Sequence, residues 1–335
     1  MANSNFFSIV AFGLLLCFLS AGVESIGVCY GRDGNNLPPV NEAIDLYKSN
    51  NIGGIRLYDY NPDAFQALRG SNIAVIVDIP DPSSFAFDPS VALAWVQNNI
   101  QAFQDVNFRY IVVGNQLIPG DKAIFILPAM QQLQNALQSV GLQDRIKVST
   151  SIFTAGVFAN SYPPSAGTFS SDALATLQPI IGFLVANGAP LLVNVFPYFH
   201  YLNDRDHISL DYALFTSPGT VVTDGQLQYQ NLFDAILDAL YSALEKVGGG
   251  GVTIVVSESG WPSDGRDIAT QQNAQTYLSN LIQHVGRGTP KRPGISIDTY
   301  IFAMFDENLE QPQGTDQNHY GLFTPNKQPK YSLSF

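Results

Sequence analysis

Carboxylates, amides and aromatic rings follow several short apolar segments of this sequence, at the points where those segments end. They are Tyr58 and Asp59, Asn115 and Gln116, Asn194, Tyr198 and Phe199, Glu258 and Trp261, and Glu307. Aromatic rings stack on the C–H faces of pyranose sugars, and carboxylates and amides hydrogen-bond their hydroxyls. The four histidines have no metal-binding spacing, so we predict no metal and no cofactor. These residue types favour a site for a neutral sugar.

Glu258 is the strongest single candidate among these residues. It ends an apolar run and precedes Ser259-Gly260-Trp261, where a purely structural ion pair would be unusual. In glycoside hydrolysis one carboxylate attacks the anomeric carbon while a second serves as acid and base. Core packing remains an alternative for Trp261, Tyr58 and Tyr198, and it is the favoured interpretation for Phe196 and Phe305.

Apolar runs and helix-period segments alternate along the chain and must position these residues. The predicted strands are Ile26–Tyr30, Gly54–Tyr58, Ile73–Ile79, Tyr110–Gly114, Ile146–Ser151, Leu191–Phe196, Val252–Ser257 and Thr299–Phe305. Most are apolar on both faces, as strands covered on both sides are. Eight such units predict one α/β domain, a closed (β/α)₈ barrel with its site at the C-terminal ends of the strands. An open doubly wound sheet is the alternative, but no G-x-G-x-x-G motif follows the first strand.

The N-terminal segment is predicted to lie outside this domain. Residues Phe6–Leu19 are nearly all apolar, and small residues follow up to Ser25. This pattern is typical of a secretory signal peptide, residues 1–25, although no Lys or Arg precedes the apolar run. The domain then covers residues 26–335. We expect secretion to the apoplast or cell wall, since the charge is acidic and no extension follows the domain; the vacuole is less favoured.

Composition excludes several classes of protein. Lys and Arg number 16 against 28 Asp and Glu, a net charge of -12. Nucleic acids and anionic membranes require basic patches, so neither is an expected partner. Two cysteines cannot build a disulfide scaffold, and Cys29 is predicted to be a small buried residue. We expect a monomer that binds a small molecule or a glycan.

The sequence resembles the plant β-1,3-glucanases of glycoside hydrolase family 17 over the whole of residues 26–335. The motifs that carry the resemblance are Ile26–Gly31, Gly34–Pro39, Arg56–Asp59, Tyr110–Asn115, Ser161–Gly167, Val255–Ser263 and Gly321–Phe323. The resemblance implies a (β/α)₈ barrel with an open cleft, a retaining mechanism on β-1,3-glucan and a role in plant defence. It places Glu258 on the nucleophile.

The same resemblance implies departures around the site. Gln116 stands where the family has its acid/base Glu, in a Val-Gly-Asn-Glu motif, and Glu310 lies in the stretch that usually carries a Lys. Either Gln317 or Asp316 takes the place of a further Glu, and Phe196 replaces a Tyr. An amide can neither give a proton to the leaving oxygen nor take one from water, so hydrolysis is expected to be lost or strongly impaired.

Three functions remain open from the sequence. The first is an active endo-1,3-β-glucanase with another acid, for which Glu307 is the nearest candidate. The second is a glucan-binding protein that does not cut its ligand. The third is a barrel with different small-molecule chemistry, in which Glu258 acts as a base and Gln116 donates a hydrogen bond to an oxyanion.

Overall fold

The computed structural model describes residues 26–335, and the predicted signal peptide lies outside them. Eight parallel strands form a closed barrel in the order β1-β8-β7-β6-β5-β4-β3-β2. The strands are β1 Gly27–Tyr30, β2 Gly54–Leu57, β3 Ala74–Ile79, β4 Asn107–Asn115, β5 Lys147–Phe153, β6 Leu191–Asn194, β7 Ile254–Ser259 and β8 Thr299–Ile301. The (β/α)₈ prediction is confirmed, and the closed hydrogen-bonding order excludes the open sheet.

Helices connect the strands around the outside of the barrel. They are α1 Val40–Ser49, α2 Pro62–Leu68, α3 Ser83–Phe87, α4 Pro89–Trp95, α5 Ile126–Ser139, α6 Thr154–Val157, α7 Ser171–Asn187, α8 Pro197–Asn203, α9 Leu210–Ala213, α10 Leu232–Lys246 and α11 Gln271–His284. Asp88 caps the N-terminus of α4, since its carboxylate accepts the Ser90 N–H at 2.8 Å. None of the helices within residues 26–335 is long and apolar enough to span a lipid bilayer.

The barrel interior is filled by side chains from most of its strands. Cys29, Ile76, Tyr110, Val112, Leu192, Val255 and Tyr300 belong to one buried cluster. Gly27 leaves room for the Tyr300 ring, because a Cβ at Gly27 would lie 2.3 Å from Tyr300 Cδ1. The Cys29 thiol is free and buried, as predicted, and donates to the Ser257 carbonyl at 3.2 Å. This filled core supports the strand ends rigidly, which is what a precise site requires.

Candidate active-site cleft

A cleft of about 970 Å³ opens at the C-terminal ends of the strands. Residues after all eight strands contribute to its walls, so the barrel topology places most of the predicted site residues at one mouth. The residues that line it include Gly31, Asp33, Tyr58, Asp59, Asn115, Gln116, Phe153, Phe196, Phe199, Asn203, Glu258, Phe302, Glu307, Glu310, Gln317 and Tyr320.

Glu258 lies at the bottom of this cleft and is held by three donors. Its Oε1 accepts from Arg56 Nη1 at 2.9 Å, from the Tyr58 hydroxyl at 2.9 Å and from Asn115 Nδ2 at 3.2 Å. The residue is 4% exposed. Burial raises the pKa of Glu258, while the Arg56 guanidinium and the Tyr58 hydroxyl oppose that rise. The fixed carboxylate is oriented as a nucleophile must be.

Arg56 is the buried cation beneath Glu258. Its guanidinium also binds Asp78 with two bonds, Nη2 to Oδ2 at 2.7 Å and Nε to Oδ1 at 3.3 Å. Burial lowers the pKa of Arg56, but Asp78, Tyr58 and Glu258 together outweigh burial and the pKa is raised. Arg56 therefore stays charged and holds two carboxylates at once. Sequence inspection placed Arg56 at a strand end but gave it no role, because its partners come from other strands.

Asn194 positions other residues and does not face the cleft. It is fully buried, and its Oδ1 accepts from Arg56 Nη1, the Ser151 hydroxyl and the Ser257 hydroxyl at 2.8–3.2 Å. Its Nδ2 donates to Asn115 Oδ1 at 2.9 Å, which turns the Asn115 amide towards Glu258. The prediction that Asn194 contacts a ligand is corrected to a positioning role, while Asn115 lines the cleft as predicted.

Gln116 lines the cleft at the end of β4. Two residues with positive φ flank Asn115, Gly114 at 75° and Gln116 at 58°. The Gln116 N–H donates to the Ser151 carbonyl at 2.9 Å, which anchors this sharp bend to β5. The bend lets Asn115 reach Glu258 while the neighbouring Gln116 side chain also lines the cleft. Within residues 26–335 that side chain makes no hydrogen bond.

Tyr198 and Trp261 lie below the cleft and do not line it. Their side chains are 0% and 1% exposed, and their rings pack edge to face at 5.1 Å. The Tyr198 hydroxyl donates to Asp316 Oδ2 at 2.6 Å, and Trp261 Nε1 donates to the Ile268 carbonyl at 3.0 Å. The prediction of direct ligand contact is corrected for both. Core packing, the alternative left open by the sequence, is what their burial favours.

Aromatic rings do line the cleft, but several are not those predicted. Tyr58 and Phe199 line it as predicted, and the others are Tyr30, Phe153, Phe196, Phe302 and Tyr320. The ring centroids of Phe153, Phe196, Phe199, Phe302 and Tyr320 lie 5.4–6.5 Å apart in mostly edge-to-face contacts. Phe153 ends β5, where the sequence signal was the same as at other strand ends. Phe302 lies inside the last predicted strand, Thr299–Phe305, and Tyr320 lies after it, so neither was expected at a strand end. The cleft keeps the apolar platforms that suit sugar rings.

Three carboxylates meet at the side of the cleft formed after β8 and β1. Glu307 and Glu310 line the cleft as predicted, and Asp33 joins them. Glu307 Oε2 accepts the Asp33 N–H at 2.8 Å. Burial raises the pKa of Glu307 to about 7, and burial with the adjacent Asp33 raises the pKa of Glu310 to about 7. Gln317 lines the cleft nearby, whereas the Asp316 carboxylate turns away to Tyr198 and Arg266.

The closed barrel, the oriented carboxylate and the aromatic cleft define a protein of the glycoside hydrolase class. The family described as glycosyl hydrolases family 17 matches residues 26–335, and the chain belongs to this family. Glucan endo-1,3-beta-glucosidase of Vitis vinifera is 55% identical over 329 residues, covering 96% of this chain and 95% of that protein. The basic vacuolar isoform of Nicotiana plumbaginifolia is 53% identical over 338 residues, covering 98% and 92%.

Solved structures agree with this assignment. CJP38, a beta-1,3-glucanase and allergen of Cryptomeria japonica pollen, superposes with a TM-score of 0.90 at 45% identity, covering 93% of this chain and 99% of that one. One of two plant beta-glucan endohydrolases with distinct substrate specificities gives a TM-score of 0.89 at 46% identity, covering 92% and 100%. The sequence-based resemblance to this family is confirmed.

Proposed function

We propose that this protein binds β-1,3-glucan in its cleft and that its hydrolytic activity is strongly impaired, because Gln116 occupies the acid/base position. The observation that carries the proposal is the chemistry of the cleft after β3, β4, β5 and β6. Among the described residues that line this half, none is a carboxylate. The carboxylates Asp33, Asp59, Glu307 and Glu310 follow β1, β2 and β8.

A retaining mechanism needs two carboxyl groups about 5–5.5 Å apart, one to attack and one to exchange a proton. Glu258 on β7 is oriented for attack. Glu307 follows the neighbouring strand β8, while Gln116 follows β4, three strands away in the other direction. Glu307 and Glu310 have pKa values suited to an acid, but they stand in a different sector of the cleft from Gln116. This argues against either as its replacement.

Binding does not need the missing acid. Contacts that a glucan makes in the ground state are separate from the proton transfer that occurs in the transition state. Tyr58, Asn115 and Phe199 line the cleft and offer hydroxyl, amide and ring surfaces to a sugar. The identity of 55% to a glucan endo-1,3-beta-glucosidase supports the choice of ligand.

The test measures binding and cleavage in the same preparation. Calorimetric titration with a β-1,3-linked pentasaccharide should show binding, and a reducing-end assay on soluble β-1,3-glucan should show a rate at least about 10²-fold below that of an active relative. A Phe199→Ala variant should bind more weakly, and Asn135→Ala, on the outer helix α5, serves as the control. A wild-type rate equal to that of the relative would refute the impaired mechanism. Absence of glucan binding would refute the ligand and favour a different small molecule.

The setting of this activity is part of the same proposal. We infer that the protein acts outside the cell, since an apolar segment at residues 6–19 resembles a secretory signal. We also propose that it acts as a monomer. N-terminal sequencing of the secreted protein should begin at Ile26, and light scattering should give the mass of one chain.

A further inference from the structure

The carboxylates of Asp33, Glu307 and Glu310 form a compact group that holds no basic side chain. One oxygen atom from each lies within 4.8 Å of the others. Within residues 26–335, no Lys, Arg or His forms an ion pair with any of them. Neighbouring cations are engaged elsewhere: Arg32 pairs with Asp59 at 2.6 Å, and Lys330 pairs with Asp306 at 2.7 Å. Three adjacent carboxylates without a counter-ion repel one another.

A second observation comes from one buried oxygen in this group. Glu307 is 5% exposed, and its Oε1 has no hydrogen-bond partner, although Oε2 accepts the Asp33 N–H. A buried, unpaired carboxylate oxygen is costly and calls for a partner. Gly31, beside it on the cleft wall, makes room for this carboxylate, since a Cβ there would lie 1.9 Å from Oε1.

The backbone fixes the two loops that carry the three carboxylates. The Leu309 N–H donates to the Asp33 carbonyl at 2.8 Å, which ties the β8 loop to the β1 loop. Asn318 Nδ2 donates to the Glu307 carbonyl at 2.7 Å and to the Glu310 carbonyl at 2.9 Å. These bonds do not involve the Glu307 and Glu310 carboxylates, so the group is held together by its loops and is ready to bind an ion.

We propose that Asp33, Glu307 and Glu310 bind one calcium ion in the cleft. Calcium prefers carboxylate oxygens at about 2.3–2.6 Å and tolerates irregular geometry, so two of its ligands can stand up to about 5 Å apart. Magnesium, at about 2.0–2.1 Å, would require all three oxygens within about 4.2 Å. The three oxygens lie within 4.8 Å of one another, a spacing that the coordination shell of calcium spans without movement of the loops. Water from the open cleft completes the coordination shell.

A bound calcium ion would change the charge and the hydrogen-bonding groups at this end of the cleft. It would satisfy Glu307 Oε1, offset the repulsion among the carboxylates and present a positive centre to the hydroxyl oxygens of a bound sugar. The site does not depend on the function proposed above, because binding of the ion can be measured without any glycan.

Calorimetric titration of the chelator-treated full-length mature protein with calcium chloride tests this proposal. We expect one site per chain, weaker binding of magnesium, and a higher melting temperature in calcium. Glu310→Gln and Asp33→Asn should each weaken calcium binding at least about tenfold. Asp144→Asn, an exposed carboxylate between α5 and β5, should bind as the wild type does.

The outcomes decide the proposal because folding is monitored separately by circular dichroism. Folded wild-type protein that takes up no calcium at about 1 mM, the weak end of known calcium sites, would overturn it. Equal calcium binding by wild type and Glu310→Gln would overturn it as well, since the ion would then sit elsewhere. Loss of binding in Glu310→Gln and Asp33→Asn, with both variants folded, would support it.

Discussion

Restoring a carboxyl group at position 116 is the most direct test of the proposed loss of hydrolysis. Gln116→Glu adds an acid at the end of β4, in the half of the cleft where the described lining residues include no carboxylate. The negative charge of Glu258 should help the new carboxyl group keep its proton, which a general acid needs. General acid–base catalysis is worth about 10²–10⁴ in rate, or about 2.7–5.4 kcal/mol of transition-state stabilisation. We expect reducing-end release from β-1,3-glucan to rise by that factor.

The assay compares wild type, Gln116→Glu and a matched control at equal concentration. Gln138→Glu makes the same chemical change at an exposed position of α5, so it should leave the rate unchanged. Glucan affinity should also stay nearly constant, because the proton is transferred only in the transition state. A wild type that already cuts as fast as Gln116→Glu would refute the reasoning, since another residue would then supply the acid.

An activated substrate separates the two chemical steps. A dinitrophenyl β-laminaribioside has a leaving group that needs no proton, so Glu258 can displace it and form a glycosyl ester in the wild type. Water then hydrolyses this glycosyl ester slowly, because no general base at position 116 takes its proton. Azide needs no base: its nitrogen bonds to the anomeric carbon as the ester bond to Glu258 breaks, giving a β-glycosyl azide. Faster wild-type turnover in azide is expected, and an unchanged rate would indicate that Glu258 is not acting as nucleophile.

Three further predictions concern the residues that support the site and the fold. Asn194→Ala removes an amide with four side-chain partners and should lower the free energy of unfolding by about 3 kcal/mol, while Asn203→Ala on the cleft wall should leave it nearly unchanged in urea titrations. Tyr198→Phe loses a bond to the Asp316 carboxylate and should cost about 1.5–3 kcal/mol of stability without changing glucan affinity; weaker binding at full stability would contradict our placement of this ring. Burial raises the pKa of Asp238 from 3.8 to about 6, so its stabilising protonation is complete below pH 3.8 and is lost as the pH rises through 6. Asp238→Asn should remove roughly 3 kcal/mol of pH dependence between pH 4 and 8, and parallel stability curves for the two proteins would refute this.

The barrel could be predicted because its strands are buried on both faces and therefore appear as short, continuous apolar runs. The ends of the strands could not, since hydrophobicity does not report where the hydrogen-bond ladder stops. The last strand was predicted to reach Phe305 but ends at Ile301. The helical periodicity of the sequence continues from Pro89 to Phe103, but the segment is α-helical only to Trp95, and Val96–Ile100 forms a π-helix.

Only part of the site could be predicted, because the sequence shows which residues follow a strand but not which way their side chains face. A position after a strand end places Glu258, Asn115 and Phe199 near the cleft, but it places Asn194, Tyr198 and Trp261 near it equally well. Only three-dimensional packing separates a side chain that lines the cleft from one that lies beneath it. Asp33 was missed because its partner Glu307 is 274 positions away in sequence, and no local spacing links them.

The structure also explains how an intact Glu258 can coexist with an amide at position 116. The Glu258 carboxylate accepts from the buried Arg56 and from the half-buried Tyr58 and Asn115. Truncating it would remove one of the two carboxylates that offset the buried Arg56 charge, leaving Asp78 as the other. The Gln116 side chain has no hydrogen-bond partner within residues 26–335, and its backbone N–H makes the bond to Ser151 whatever the side chain is. A change at position 116 therefore costs the fold little, whereas truncation at 258 removes a partner of the buried Arg56. Because Glu258 also stabilises the fold, its presence alone does not report on catalysis, and the proton-transfer experiment at position 116 does.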